Sequence, residues 1–384
     1  MKSRQATSLH RAALRRVTLR QPALRVLLAA TFLLAACTPS TPPPPSPSQV
    51  RAQIVRLLPA TLTDRQGWAG DIQAAFAALQ IRPVTPNLCA ALAVIEQESG
   101  FNPDPVVPGL ARIARAEIDR RAERLGIPQF LVRAALAFKS PNGIAYDQRL
   151  AAVRTEQDLD RIYEDFIDSV PLGRRLLGGA NPVHTGGPMQ VSIRFAEEHA
   201  RAMAYPYPVA GSMRQEVFSR RGGVYFGIAH LLGYPTSYPR LLYRFADFNA
   251  GLYASRNAAF QSAVSIASGI DLQLDGDLVR YGGGRDDIGP TEVAVRTLAP
   301  ALGLGPSQIH RALEQGRSQR FERTDLYRQV FALAEREARK PLPRQRLPRI
   351  RLDSPKITRS LTTEWFATRV DKRYRNCMAR AAGS

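Results

Sequence analysis

The sequence predicts an all-α protein, and three observations carry that reading. From Val50 onward, apolar residues recur at three- and four-residue spacing in one segment after another. No stretch alternates apolar and polar residues as a half-buried strand does. The breaks between the segments are Pro, Gly and Asn, the residues that start and stop helices. With 384 residues, 45% of them hydrophobic, the chain can bury one large core or two smaller ones.

The start of the chain reads as an export signal. Lys2, Arg4, Arg11, Arg15, Arg16, Arg20 and Arg25 precede the uncharged apolar run Val26 to Ala36. That run is too short to span a bilayer as a helix. It ends Leu34-Ala35-Ala36-Cys37, which resembles a bacterial lipobox, so residues 1–36 are expected to be a lipoprotein signal peptide and Cys37 the lipidated (palmitate-bearing) N-terminus. Thr38 stands where an inner-membrane retention signal would place Asp. Lipoprotein sorting then implies the outer membrane, facing the periplasm. Arg15-Arg16 leaves twin-arginine export open. Loss of this segment takes the net charge from +20 to about +13. A basic surface suits phospholipid headgroups or cell-wall polymers, and export argues against nucleic acid. A general bias toward Arg explains the same charge equally well.

Thr38 to Ser48 is rich in Pro, Ser and Thr, with Pro42 to Pro45 consecutive. It is expected to be a semi-rigid tether, and 37–50 is assigned to the lipidated Cys and that tether. Helices are then expected near 66–79, 86–99, 108–124, 127–139, 155–169, 193–203, 213–232, 237–246, 252–267, 289–301, 306–315, 323–339 and 361–380. The segment Arg339 to Lys356 is basic and broken by Pro, an extended surface strap or a linker.

The helix near 86–99 carries the most informative residues. Pro86-Asn87 is its entry signal and Gly100 its stop. Leu88, Ala91, Val94 and Ile95 make a buried stripe, and at about 100° per residue Glu98 continues it while Glu96 falls nearly opposite. Glu98 is thus a carboxylate at the C-terminal end of an apolar face. Desolvation there raises a carboxyl pKa, and the partial negative charge of the helix end pushes the same way. A carboxyl so placed suits a general acid. An ordinary surface Glu near a helix end is the plain alternative.

Two later stretches interrupt the helices. His184-Thr185-Gly186-Gly187-Pro188-Met189-Gln190-Val191-Ser192 is a tight turn, and Phe245-Ala246-Asp247-Phe248-Asn249-Ala250-Gly251 is a helix end. Together with Glu98-Ser99-Gly100-Phe101-Asn102-Pro103, and in this order, they resemble the lytic transglycosylase family. That family's pattern is Glu-Ser-x-Phe, then Gly-Leu-Met-Gln, then Ala-Tyr-Asn-Ala-Gly. Pro188 replaces the Leu and Phe248 the Tyr; the Tyr expected after the third motif has no clear match, Tyr281 included. With its lipobox and tether, the chain also resembles a family of bacterial lipoproteins known only as a domain of unknown function.

The resemblance covers 66–100 and 181–270. It implies an all-α, lysozyme-like (lytic transglycosylase-like, goose-type) catalytic domain over 51–270, a helical insertion at about 104–180 and a C-terminal helical extension over 271–384. It also implies a peptidoglycan lytic transglycosylase that uses one carboxylate. Glu98 would be the catalytic acid and base, and Ser99 would hold the carboxylate or the substrate. Met189 and Gln190 would line sugar subsites, and Asn249 would hold the turn or bond an N-acetyl group. Glu96 and Asp247 are the only nearby acids for a second carboxylate. No metal or cofactor is expected, because two distant Cys and His184, His199, His230 and His310 show no ligand spacing. The partners would be peptidoglycan glycan strands, and the membrane through the N-terminal lipid. A non-catalytic peptidoglycan-binding or scaffolding lipoprotein, and a hydrolytic lysozyme, remain alternatives.

With Cys37 lipidated, Cys89 and Cys377 remain. In an oxidising compartment such a pair favours a disulfide over two free thiols. The last helix carries Trp365, Phe366, Val370 and Tyr374 near one face, which needs a surface to pack on. A bridge closing so long a loop is worth roughly 4–5 kcal/mol on the chain-entropy account.

Overall fold

The computed structural model describes residues 44–280, 287–352 and 361–383. Residues 1–36, Cys37 and Tyr281 lie outside them. Within them the protein is mostly helical, as expected of an all-α chain. Strand is limited to two antiparallel hairpins of two-residue strands, β1 (Thr185–Gly186) with β2 (Val191–Ser192) and β3 (Arg351–Leu352) with β4 (Leu361–Thr362). No described helix is long and apolar enough to cross a membrane.

The tether expected through residue 50 gives way to helix at Pro47. Helix α1 (Pro47–Leu57) starts on that proline and buries Val50, Ile54 and Leu57, one apolar residue per turn. Helix α2 (Arg65–Ala78) begins with the Asp64 side chain accepting the Gly67 N–H. Helix α3 (Thr85–Glu98) places Pro86 in its first turn and buries every residue from Leu88 to Ile95. Its apolar surface runs all round, so it needs cover on all sides.

The segment expected to be an insertion, about 104–180, contains α4 (Leu110–Arg124), α5 (Gln129–Ala137), α6 (Tyr146–Ala152), α7 (Glu156–Ser169) and the short α8 (Gly173–Leu177). It packs around its own small core of Leu110, Val132, Leu136, Tyr146, Leu150 and Ile162. The sequence reading missed α6 and α8, each too short to display a helical period.

After β2 follow α9 (Ile193–Ala202), α10 (Met213–Phe218), α11 (Arg220–Leu232), α12 (Leu241–Ala250) and α13 (Ala254–Ser268). The single helix expected over 213–232 is two. Ser219 is extended (φ −73°, ψ 150°), its hydroxyl donating back to the Glu216 carbonyl and accepting the Gly222 N–H. A serine that ends one helix and caps the next leaves the apolar period intact, which hides the break in the sequence. Then come α14 (Pro290–Thr297), α15 (Ala299–Leu302), α16 (Pro306–Leu313), α17 (Asp325–Ala338) and α18 (Thr363–Ala382).

Two larger cores organise these helices. The first joins α1, α2, α3, α11 and α12 with α18, through residues such as Trp68, Phe76, Leu92, Phe226 and Phe366. The second collects α13 to α17 around Phe260, Ile309, Phe321 and Phe331. Asp247, fully buried on α12, joins the two. Its carboxylate accepts from the hydroxyls of Tyr238 (2.7 Å) and Tyr234 (3.1 Å) and from the backbone N–H of Tyr253 (3.1 Å) and Ser255 (2.6 Å). The last two donors open α13, so Asp247 acts as a cap, not as a second acid.

Helix α18 returns from the end of the chain to the first core, packing on α3 and α12. It runs antiparallel to α3. Cys377 meets Cys89 in a disulfide near one end, and Arg373 meets Glu96 (3.6 Å) near the other. Phe366, Ala367 and Val370 are buried against the core, with Trp365 and Tyr374 packed at its edge. In protein from an oxidising compartment, neither Cys89 nor Cys377 is expected to alkylate before reduction. Cys89→Ser/Cys377→Ser should lower the unfolding free energy by about 5 kcal/mol or less, since loop closure is the main term. Intact mass with and without reductant, and denaturant melts, check both.

Candidate functional site

Glu98 is the last residue of α3. The chain turns away through two consecutive left-handed residues, Gly100 (φ +59°) and Phe101 (φ +65°). The second is a strained conformation for a phenylalanine, and burial of its ring holds it. That ring is 6% exposed and stands edge-on to Trp68, with centroids 5.5 Å apart. The exit from α3 is therefore fixed by packing.

Part of Glu98 meets solvent, but the protein mass around its carboxyl removes enough water to push the pKa up to about 8. Among the described residues no side chain or backbone group pairs with it, so nothing offsets that cost. Glu96 serves the other side of the helix through Arg373. Ser99 turns back on its own helix, its hydroxyl donating to the Ile95 carbonyl (3.0 Å). It does not hold the Glu98 carboxyl.

The second motif forms the loop of the β1–β2 hairpin. Gly187 (φ +70°) and Gln190 (φ +49°) are both left-handed, closing a four-residue turn in which the Gln190 N–H reaches the Gly187 carbonyl at 3.0 Å. A side chain on Gly187 would sit 2.1 Å from the Val217 carbonyl, so that position admits only glycine. The turn lies in a channel on α11. A Cβ on Gly223 would meet Pro188 at 2.5 Å, and one on Gly227 would meet the Met189 sulfur at 2.3 Å. Met189 is fully buried there, so it anchors the turn from below and does not line a sugar subsite. Gln190 stays half-exposed, its amide oxygen accepting from the Thr185 hydroxyl (3.2 Å).

The insertion braces the base of this hairpin. Arg214 donates to buried Asp160 (2.7 Å) and to the Val183 carbonyl (3.0 Å), and Asn181 also donates to Asp160 (2.9 Å). The third motif is bound to α18. Asn249 is exposed, and its side-chain oxygen accepts from the buried Thr363 hydroxyl (3.2 Å). Helix α18 thus touches the helix that leads into the first motif through Arg373, and the third motif through Thr363. His230 links the second and third. Its ring packs on Phe195, just beyond the hairpin (4.6 Å), and on Phe248 (5.1 Å), and burial lowers its pKa to about 4, keeping it neutral.

Sequence reasoning missed Gly223, Gly227 and His230. A signal for the glycines existed: in a helix interior each costs about 0.5–1 kcal/mol relative to Ala, so three of them in Arg220–Leu232 ask for a packing reason. Among the described residues no group of three or more His, Cys, Asp or Glu gathers as a metal site. Two cavities of about 460 and 360 Å³ lie along α13 around Ser262 and Arg346, and none of the motif residues lines either.

A family model described as protein of unknown function (DUF1615) matches residues 61–380, a span that includes all three motifs, the insertion and both cysteines of the disulfide. The chain is 53% identical over 361 residues to the protein named Uncharacterized protein YaiW of Escherichia coli (strain K12), covering 93% of this chain and 98% of that relative. No solved structure matches.

The docking of the hairpin on α11 makes a testable pair. Gly227→Ala should destabilise by roughly 1–3 kcal/mol through overpacking against Met189. Met189→Ala removes the sulfur and Cγ from the same contact, though not the Cβ at 2.6 Å, so the double variant should be somewhat less destabilised than the two single losses added together. Denaturant melts of the four proteins check this, and strict additivity would contradict the contact.

Proposed function

The chain belongs to the DUF1615 family, and for it we propose the role of a membrane-anchored peptidoglycan lytic transglycosylase in a lysozyme-like fold. One observation carries the reading above the rest. Glu98 is a carboxyl without a partner among the described residues, raised to about 8, at the solvent-touching end of a buried helix. A carboxyl with that pKa holds its proton at neutral pH and can give it to a leaving oxygen. The two acids considered as a second carboxylate beside Glu98 are otherwise engaged, Glu96 with Arg373 and Asp247 as a cap. That supports a single-carboxylate route.

In this reading Glu98 protonates the oxygen between N-acetylmuramic acid and N-acetylglucosamine. The bond from that oxygen to the muramic C1 breaks, and the substrate's acetamido group supports the cationic centre. The C6 hydroxyl then bonds to C1 and returns its proton to Glu98. The product is a 1,6-anhydro end, with no water consumed. Gln190 and the exposed face of the hairpin would contact the sugars, while Met189 and the α11 glycines set its height. A lipid on Cys37 would hold the body at the outer membrane, facing the glycan strands in the periplasm.

A binding or scaffolding role is the second reading, and a specific observation favours it. Met189 is buried and Asn249 is held by Thr363, so two of the expected sugar contacts are committed to the protein itself. Digestion of purified sacculi separates the two. The wild type should release anhydro-muropeptides, and Glu98→Gln should lower the rate by about 10²–10⁴ while still binding sacculi. Because the acid form is the active one, cleavage should fall as pH rises through about 8. Sacculi bound but never cut by the wild type would leave the scaffold reading; equal cutting by Glu98→Gln would remove Glu98 from the chemistry.

A further inference from the structure

Helix α5 and the turn before it form an exposed apolar surface that the proposed chemistry does not use. Leu125, Ile127, Phe130 and Leu131 lie within seven consecutive residues, and every residue from Glu123 to Leu131 is exposed. Leu125 is 75% exposed, Phe130 62%, and Phe138, just past the other end of α5, 70%. Side chains that open stand off the surface; they are not the walls of a groove. The helix itself is two-sided. It turns Val132 and Leu136 into the insertion's core, while Phe130, Ala134 and Ala137 recur at helical spacing on the outer side, all exposed. A helix apolar on both faces, with one face in water, marks a surface that meets another apolar phase.

The charge around it says which phase. Arg133 on α5 and Lys139 next to Phe138 are exposed, and their side chains form no ion pair among the described residues. At the end of α4, Arg120, Arg121 and Arg124 share the single carboxylate of Glu117, leaving that corner cationic. Glu123 is the one further acid in the stretch 120–139. Projecting Leu, Ile and Phe ringed by excess Arg and Lys fit an interfacial contact with an anionic lipid surface. A second copy fits badly, since a two-fold pairing would bring each cationic rim against its own image.

We propose that the α4–α5 corner is a membrane-contact site, inserting Leu125, Ile127, Phe130 and Leu131 among anionic lipid headgroups with Arg133 and Lys139 on the phosphates. It is independent of any acyl chain at Cys37 and of the chemistry at Glu98. The compact unit Pro47–Ser384 contains all three cores and the disulfide, so it is the piece to test free of the N-terminal segment.

Co-sedimentation with vesicles of equal parts phosphatidylcholine and phosphatidylglycerol is the assay. The wild-type unit should pellet with them, less so as salt is raised. Phe130→Ser/Leu131→Ser and Arg133→Glu/Lys139→Glu should each weaken binding by about tenfold. All four residues are exposed, and circular dichroism checks that the variants stay folded. Leu125→Ser is the substitute should one of them unfold. No binding by the wild type, or binding that survives either pair of changes, overturns the proposal. So does a concentration-dependent dimer that Phe130→Ser/Leu131→Ser dissolves without any vesicle binding; that result would make the corner an interface between copies.

Discussion

The packing of α18 along α3 is the contact on which the site depends. Helix α3 is apolar over nearly its whole surface, and α2, α11 and α12 belong to the same core without closing it. The cover comes from the far end of the chain. Helix α18 lays Phe366, Ala367 and Val370 into the core and is locked there by Cys89–Cys377. Arg373 on Glu96, Thr363 on Asn249 and Arg380 on the Leu57 carbonyl (3.2 Å) add polar ties along its length. The position of α3 is thereby fixed, and at its C-terminal end burial raises the Glu98 pKa. Helix α18, from the far end of the chain, thus supports the helix that carries Glu98.

Two carboxylates in this core have raised pKa values, and the difference between them is instructive. Asp247 is more deeply buried but accepts four hydrogen bonds, so its charge is largely repaid by donors and its position is fixed. Glu98 is less enclosed and has no partner among the described residues, so desolvation acts on it unopposed. A group of the first kind stabilises a joint between cores. A group of the second kind costs stability once ionised. Its folded pKa lies above the unfolded value near 4.5, so stability falls as pH rises from there through about 8. A carboxyl kept at such a cost is a natural place to look for chemistry.

Much of this was legible in the sequence where a strong local signal existed. The 3.6-residue period gave α3 and placed Glu98 and Glu96 on different sides. The pairing of Cys89 with Cys377 followed from compartment and count. Helix α1 stayed hidden because the prolines before it dominate the composition of that stretch, although Val50, Ile54 and Leu57 keep helical spacing. The break at Ser219 and the two-residue strands are too local to change a period. The roles of Met189 and Asn249 were decided by tertiary partners, Gly227 and Thr363, that lie 38 and 114 positions away. No reading of the turn or the helix end alone contains them.

Burial at the end of α3 keeps the Glu98 carboxyl protonated at neutral pH. Carbon-13 NMR of protein labelled at the glutamate carboxyls, with Glu98→Gln subtracted to identify the resonance, measures this directly. The expected Glu98 titration midpoint is about 8. A midpoint near the ordinary 4.5 would contradict it, and with it the assignment of Glu98 as the acid.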